Sequence, residues 1–339
     1  MYDKLWKDIK NKKFSSLYLL YGVEKFLIDK TKNLIISEAL TDEELEFNLS
    51  NYDLEEISIE AALEDCETVP FFGDRKVVIM HNPYFLTAEK VKEKVEHNLK
   101  MLDAYLADPV PTSIVVFIAP YEKLDERKKI TKNLIKNATV LQANNLSEAE
   151  IKNWIEHQFR MNGKQIESSA IERLYHLVGA NMAILNKEID KLLLYTNEGE
   201  TVALDTIDLL VSRSLEENIF ALVDKVVHRK LAGALEIYYD LLKQNEEPIK
   251  ILAVIANQFR FIYQVKALLK KGYAQKQIAS SLRTHPYRVK LAIDQTRLFD
   301  DEWLLKLIHE LSELDYKMKT GYGNKEKLLE LFFIRFLTK

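Results

Sequence analysis

Residues 21–31 are the stretch in which this sequence would place a loop that binds nucleotide phosphates. A phosphate loop needs Gly-x-x-x-x-Gly-Lys-Ser/Thr, because its backbone amides wrap the phosphates and its lysine reaches them. Counted from Gly22, the positions of the second glycine, the lysine and the hydroxyl residue hold Leu27, Ile28 and Asp29. The sequence therefore predicts no nucleotide-binding residues in this stretch.

The other residue patterns that support catalysis are missing as well. Neither of the apolar runs at residues 77–80 and 114–118 is followed by the acidic pair that would hold Mg²⁺ beside a nucleotide. The seven histidines show no spacing typical of metal ligands, and no Gly-x-Ser-x-Gly turn marks a nucleophile. We therefore expect no catalytic residue, no metal site and no cofactor.

Phe71 and Phe72 are the residues whose placement is hardest to explain by folding alone. Pro70 cannot continue a helix, and Gly73-Asp74 is typical of a turn. At the tip of such a loop both rings can point outward, where exposed aromatic side chains act as anchors for a pocket on another protein. The alternative is that the two rings fill the base of the strand that follows.

The elements that must position these residues predict an α/β fold in the first part of the chain. Short apolar runs predict strands at residues 14–21, 45–52, 77–80, 114–118 and 139–142. Helical periodicity falls between them, at residues 24–40, 57–67 and 124–136. Strands that alternate with helices favour a parallel sheet with helices on both sides.

The rest of the chain predicts helices almost throughout. Ser147 is followed by early acidic residues, which is typical of a helix start. We expect three domains: an α/β domain at 1–145, a small helical domain at 146–212 and an all-α bundle at 213–339. An α/β domain followed by a small helical lid suggests the AAA+ type of architecture, here without a functional phosphate loop.

Composition is that of an ordinary soluble globular protein, with 47% hydrophobic and 29% charged residues among 339. No apolar run approaches the roughly 18 residues that span a bilayer, and the first residues show no signal-peptide core. The single cysteine, Cys66, excludes an internal disulfide and a multi-cysteine zinc site, and its helical spacing predicts a core position. We expect a cytoplasmic protein.

Charge is divided unevenly along the chain. Residues 1–212 carry 26 basic and 36 acidic residues, whereas residues 213–339 carry 22 basic and 16 acidic ones. Within residues 248–299 there are ten basic residues and one acid, Asp294. A bias of this length favours a polyanion such as DNA or an acidic protein neighbour, and the sequence leaves both open.

Short motifs recur in a fixed order along the whole chain. They are LYLLYGVEKFL at 17–27, VPFFGDRKVV at 69–78, GANM at 179–182, EIDKL at 188–192, ANQFR at 256–260, HPYRV at 285–289 and KTG at 319–321. With this order and spacing the chain resembles the delta subunit of the bacterial DNA polymerase III clamp loader. An AAA+ arrangement that lacks a phosphate loop is what that family shows.

The resemblance implies a subunit without ATP hydrolysis of its own, acting within the DNA polymerase III holoenzyme. Its first domain would bind the sliding clamp (the beta subunit) and favour ring opening. Its last helices would join a collar with the ATPase subunits (tau/gamma) and delta-prime, around primer–template DNA. In that family a hydrophobic pair at a helix tip enters a clamp pocket, and Phe71 and Phe72 hold that position here, with Val69 and Pro70 beside them. Some relatives have Leu-Phe instead.

A second candidate contact lies near the end of the chain. Tyr322 stands between two glycines, with Lys317, Lys319 and Lys325 nearby. A ring at such a turn can stack on an unpaired base at a primer–template end, while the lysines hold the phosphate backbone. The alternative is that Tyr322 packs against the helix predicted at residues 326–337.

Other functions remain as alternatives. The first alternative is a degenerate AAA+ scaffold in another assembly, such as a delta-prime-like subunit. The other two are a nucleic-acid-binding module and an enzyme with an unrecognised site. A delta-prime subunit usually carries zinc-type cysteines, whereas this chain has one cysteine. A freestanding DNA-binding module is disfavoured by the net charge of −4.

Overall fold

The computed structural model describes residues 2–88, 95–211 and 215–337. The chain forms two units, Met1–Asn145 and Leu146–Lys339. The second predicted domain boundary, between residues 212 and 213, lies outside the described residues, so the division into three domains stays a prediction.

The first unit is built around a parallel sheet of five strands in the order β2-β3-β4-β1-β5. The strands are Leu17–Tyr21 (β1), Leu49–Asp53 (β2), Lys76–His81 (β3), Ser113–Ala119 (β4) and Thr139–Gln142 (β5). Every residue of β4 and the first five of β3 are buried, so these strands are covered on both faces. Their unbroken apolar sequences follow from that double burial.

Helices alternate with the strands of this sheet. They are Tyr2–Lys10 (α1), Lys25–Ala39 (α2), Leu45–Asn48 (α3), Ile59–Glu67 (α4), Leu99–Ala107 (α5) and Lys129–Asn137 (α6), with a 3-10 turn at Tyr84–Leu86. Residues of α4, α5 and α6 share one hydrophobic core with β1, β3 and β4. Cys66 is fully buried in that core, as its spacing predicted.

Two predicted elements of the first unit need correction, and two of its helices, α1 and α5, were not predicted. Residues 45–52 were predicted as one strand, but Leu45–Asn48 forms a helical turn and the strand starts at Leu49. The helix predicted from residue 124 begins only at Lys129, because the backbone N–H of Asp125 donates instead to the carbonyl of Leu86. In both places a hydrogen bond to backbone far away in the sequence accompanies a conformation that hydrophobic periodicity does not predict.

The second unit is helical throughout its described part, apart from one pair of two-residue strands. The helices are Glu148–Met161 (α7), Ser168–Val178 (α8), Met182–Tyr195 (α9), Leu204–Leu210 (α10), Leu215–Val227 (α11), Leu231–Lys243 (α12), Pro248–Lys270 (α13), Gln275–Ser281 (α14), Pro286–Thr296 (α15), Asp301–Lys319 (α16) and Lys325–Leu337 (α17). The strands Gln165–Ile166 (β6) and Thr201–Val202 (β7) pair in parallel. Ser147 and Glu150 form a full capping box at the start of α7.

The longest helix, α13, lies at the centre of the core of α11–α17. Its buried side chains include Leu252, Phe259 and Ile262, which share a core with Leu307 and Leu311 of α16. Among the described residues, no helix combines the length and apolar composition needed to cross a membrane. The predicted fold class, a parallel α/β sheet followed by helices, is confirmed.

Candidate protein-binding site

The aromatic tip, residues 69–73, is a turn between α4 and β3 that carries its apolar side chains into solvent. Val69 is 82% exposed, Phe71 69% and Phe72 52%, while Pro70 is half-buried. The alternative that these rings fill the base of β3 is therefore wrong. The helix α4 ends at Glu67, before Pro70, and the rings of Phe71 and Phe72 are exposed, as expected for a binding element.

A third ring joins the tip from a different part of the chain. Phe47, in α3, is 52% exposed and stacks on Phe71 with ring centroids 5.3 Å apart. It meets Phe72 edge-on at 5.5 Å, and Phe71 and Phe72 meet edge-on at 4.6 Å. These three residues form the three-ring cluster, and their separations are typical of favourable aromatic pairs.

Sequence reasoning missed Phe47. Its alternation with Leu45 and Leu49 suggested a strand facing the core, whereas a helical turn carries its ring to the surface. The local pattern carries no signal against a strand, because Glu46 and Asn48 alternate with the apolar residues as they would in a half-buried strand.

Asn48 holds the backbone of the tip. Its side chain is fully buried; Oδ1 accepts from the N–H of Phe71 at 2.9 Å, and Nδ2 donates to the carbonyl of Phe72 at 2.5 Å. One carboxamide therefore satisfies both neighbouring phenylalanines through their main chain. These bonds fix the backbone under the rings and leave the rings themselves free for a partner.

Gly73 closes the tip in a conformation that favours glycine. Its φ is +66°, and a Cβ at this position would lie 1.7 Å from Oε1 of Glu44. Glu44 in turn accepts hydrogen bonds at Oε2 from the N–H and hydroxyl of Thr41, and these bonds hold the pKa of its carboxyl below the usual value. The side chain of Glu44 therefore closes over the turn.

An ion pair holds the base of the tip. Nζ of Lys76, at the start of β3, donates to Oδ1 of Asp65 at 2.5 Å and to Oγ1 of Thr68 at 2.7 Å, and the Lys76 side chain is only 5% exposed. Burial is the largest single influence and would raise the pKa of Asp65, but the hydrogen bond and charge of Lys76, together with hydrogen bonds from Ser50 and Tyr52, outweigh it and lower the pKa. The end of α4 is thereby fixed to β3 just below the tip.

The tip lies at the edge of the sheet where its strands begin. Residues 69–73 precede β3 and Phe47 precedes β2, and these two strands are parallel neighbours. In parallel α/β sheets nucleotides bind at the opposite edge, beyond the carboxyl ends of the strands. The candidate binding element therefore does not overlap the position of a nucleotide site.

At the edge where a nucleotide would lie, Gly22 and Glu24 make close contacts within the chain. At Gly22, φ is +135° and an added Cβ would lie 2.0 Å from the carbonyl oxygen of Ala143, so close packing of the chain requires this glycine. Oε1 of Glu24 accepts from the N–H of Phe26 at the start of α2, where a phosphate would bind. Leu27 and Ile28 are buried.

The turn between α16 and α17 exposes the four residues predicted to contact DNA. Tyr322 is 70% exposed, so the alternative that it packs on the following helix is wrong. Its N–H donates to the carbonyl of Lys317 at 3.0 Å, which is the Schellman bond that ends α16, and Gly321 has φ of +79°. Lys317 and Lys325 are exposed, and Lys319 is also paired with Asp315 at 2.7 Å.

Part of the basic stretch at residues 248–299 is already neutralised within the second unit. Four of its ten basic side chains form ion pairs among the described residues: Lys250 with Glu246, Lys266 and Lys270 with Asp301, and Lys290 with Glu148. Arg288 lies over the ring of Phe261. The excess of positive charge at the surface is therefore smaller than the sequence suggested.

The described residues contain no group of three or more His, Cys, Asp or Glu side chains arranged to hold a metal ion. The feature that these residues do offer for binding is the exposed apolar surface of the aromatic tip. The parallel sheet with its strand order and the helical remainder define a protein of AAA+-type architecture.

Comparison with known proteins identifies the family. The family "DNA polymerase III, delta subunit" matches residues 18–144, and "DNA polymerase III delta subunit, C-terminal domain" matches residues 216–336. The DNA polymerase III subunit delta of Bacillus subtilis (strain 168) is 47% identical over 335 residues, covering 99% of this chain and 96% of that protein. A probable DNA polymerase III subunit delta of Aquifex aeolicus (strain VF5) is 26% identical, covering 78% of this chain and 77% of that protein.

A solved structure agrees with these sequence matches. The structure of the Bacillus subtilis DNA clamp loader delta protein superposes with a TM-score of 0.94 at 47% identity, and the match covers all of both chains. The chain belongs to the family of DNA polymerase III delta subunits, so the resemblance seen in its motifs is confirmed.

Proposed function

We propose that this chain is the clamp-loader subunit that binds the sliding clamp through the aromatic tip and promotes opening of the ring. The observation that supports this most directly is the pair Phe71 and Phe72, exposed on a turn whose backbone is fixed by Asn48. Its family membership places the chain in DNA replication, and the proposed location is the cytoplasm.

Ring opening follows from a difference in affinity. A protein that binds the open ring more tightly than the closed one shifts the equilibrium toward the open form by that difference. Burial of one large apolar side chain contributes roughly 1.5–3 kcal/mol, so two phenylalanines supply on the order of 3–6 kcal/mol before the losses of association. Binding of the clamp through these side chains therefore requires no nucleotide bound to the chain itself.

The chain is proposed to hydrolyse no ATP. Support comes from Glu24, whose carboxylate takes the helix N-terminus that a phosphate would need, and from Leu27 and Ile28, which are buried in α2. Calorimetry on the purified chain should show no stoichiometric, magnesium-dependent ATP binding in the low micromolar range, because a nucleotide would have to displace Glu24. Such binding would contradict the proposal and favour the alternative of an unrecognised enzyme.

The helices after residue 213 are proposed to form the collar with the ATPase subunits (tau/gamma) and delta-prime. Within this region Tyr322, Lys317, Lys319 and Lys325 are proposed to meet primer–template DNA. Support comes from the exposure of all four at one turn. The residual positive charge of residues 248–299 is available to acidic neighbours or to DNA.

The test of clamp binding is the double substitution Phe71→Ala with Phe72→Ala. We expect clamp affinity to fall by at least about 100-fold, since the variant lacks two rings that would be buried against the clamp. The circular dichroism spectrum and the melting temperature should stay unchanged. A matched control is Leu194→Ala with Tyr195→Ala, another adjacent pair that is 89% and 58% exposed. If the folded double variant at the tip binds the clamp as the wild type does, the proposal is wrong.

A further inference from the structure

We propose that the clamp-contacting surface consists of three rings, with Phe47 as the third, and that Asn48 is the positioning residue that fixes this surface before the clamp arrives. The proposal rests on the proposed function, because it names further residues of the same binding site. It commits to the apolar pocket of the sliding clamp as the partner.

The position of Phe47 has no explanation in the fold of the chain alone. Its ring is 52% exposed and contacts both rings of the tip. It comes from a segment more than twenty residues earlier in the chain, so two separate segments converge to make one apolar surface. A partner pocket that binds Phe71 and Phe72 would also contact the ring of Phe47, which lies against both of them.

The helical turn α3 explains how neighbouring residues take opposite roles. Successive side chains in a helix point about 100° apart, so Phe47 faces solvent while Asn48 faces inward. Asn48 is fully buried and makes both of its hydrogen bonds to the main chain of the tip. The support therefore acts on backbone position and is independent of which side chains the tip carries.

A fixed tip binds more tightly because less conformational entropy is lost on association. The two hydrogen bonds hold the peptide groups of Phe71 and Phe72, and Gly73 next to them is held under Glu44. Substitution of Asn48 should therefore make the backbone of the tip more mobile in the free protein. Clamp binding should weaken because more conformational entropy is then lost on association. Loss of Phe47 should weaken binding without loosening the backbone.

The first arm of the test is Phe47→Ala in the full chain, with clamp affinity and dissociation rate measured by surface plasmon resonance. We expect affinity to fall about tenfold, mainly through faster dissociation, as for one ring at an interface. The matched control is Tyr195→Ala, because Tyr195 is 58% exposed and lies in the other unit. Wild-type affinity of Phe47→Ala would overturn the role of the third ring.

The second arm compares Asn48→Asp and Asn48→Ala. Asn48→Asp keeps the acceptor for Phe71 and removes the donor to Phe72. For both variants we expect chymotrypsin to cleave after Phe71 or Phe72 several-fold faster, while cleavage after the exposed Tyr195 in the same digest stays unchanged. Clamp affinity should fall about five- to fifty-fold. Wild-type cleavage and affinity in folded variants would overturn the role of Asn48.

A double-mutant cycle separates positioning from general support of the fold. In a chain that already carries Phe71→Ala with Phe72→Ala, Asn48→Asp should reduce the residual clamp affinity no further. An additive loss would show that Asn48 acts elsewhere and would overturn the proposal. If both Asn48 variants fail to fold, Phe47→Ala still decides the composition of the surface, and failure to fold counts against a role confined to the tip.

The outcome also separates this proposal from the proposed function. If Phe71→Ala with Phe72→Ala abolishes clamp binding while Phe47→Ala and Asn48→Asp bind as the wild type does, the proposed function stands and the present inference fails. If the wild-type chain does not bind a sliding clamp at all, the proposed function fails and so does the role given to Phe47.

Discussion

At the scale of single residues, the chain keeps apolar side chains in water where its own folding does not need them. The side chains of Val69 and Phe71 are 82% and 69% exposed, so neither is packed in a core. Scattered exposed apolar residues are ordinary, but three rings in mutual contact on one surface are not. The buried side chain of Asn48 makes the hydrogen bonds that hold the backbone of the tip. Apolar contact and backbone support therefore come from different residues.

Tyr322 permits a prediction about DNA at the same scale. In a reconstituted loader, Tyr322→Ala should reduce clamp loading on recessed primer ends about tenfold, because a ring that stacks on one base contributes roughly 1–3 kcal/mol. Loading on nicked or duplex DNA and binding of the clamp should stay unchanged. The measurement is the loading rate on the matched DNA substrates.

The chain offers a close control for this experiment. Tyr273 follows Gly272 at the end of α13, and its N–H donates to the carbonyl of Leu268 in the same kind of helix-ending turn. Tyr273→Ala should cause no loss of loading that is selective for recessed primer ends. An equal loss on all DNA substrates, or none with Tyr322→Ala, would make Tyr322 an ordinary surface residue.

The residues of the tip could be predicted from the sequence only in part. Pro70 and Gly73 restrict the backbone so strongly that Phe71 and Phe72 fall on a turn in any fold. Phe47 carries no such restriction, and its spacing fits a strand as well as a helical turn. Asn48 settles the matter by bonding to residues more than twenty positions away, which no local pattern reveals.

At the scale of elements, the ion pair between α4 and β3 predicts a dependence of stability on pH. The pKa of Asp65 is lowered in the folded state, so its contribution to stability is present above the ordinary aspartate pKa and is lost as pH falls through the folded value. The free energy of unfolding of the wild type should therefore fall below about pH 4. Asp65→Asn should remove about 2 kcal/mol at neutral pH and flatten this acid limb.

Urea unfolding between neutral and acid pH is the appropriate measurement. Asp29→Asn is the control, because the Asp29 side chain is 60% exposed and pairs with Lys32 at 3.3 Å on the surface. This pair should contribute less than about 1 kcal/mol. An acid limb as steep in Asp65→Asn as in the wild type would show that other carboxylates determine the acid sensitivity.

The elements themselves were largely predictable, since β3 and β4 are unbroken apolar runs and the start of α7 has a full capping box. Errors arose at residues 45–48 and 124–128, where hydrogen bonds to distant backbone decide the local conformation, and the helices α1 and α5 were not predicted. The helix start at Lys129, for example, follows a segment in which Nζ of Lys128 donates to the carbonyls of Phe85 and Thr87. Hydrophobic periodicity contains no information on such contacts.

At the scale of the whole molecule, the two units allow the proposed roles to be separated. A fragment of residues 1–212 should bind the sliding clamp with nearly full affinity, because the tip, Phe47, Asn48 and the Lys76–Asp65 pair all lie within Met1–Asn145. The same fragment should not assemble with the ATPase subunits. Gel filtration with clamp and with partner subunits measures both, and entry of the fragment into the assembled loader would contradict the division.

The placement of the tip at the amino edge of the sheet has a consequence for how such a protein can diverge. In a parallel sheet, ligands bind beyond the carboxyl ends of the strands, so sequence changes at that edge need not disturb a binding surface at the amino edge. Here the carboxyl edge is filled by Gly22 and Glu24, while Phe47 and the tip occupy the amino edge. Substitutions at the carboxyl edge of this sheet can therefore accumulate while the aromatic surface at the amino edge keeps its geometry.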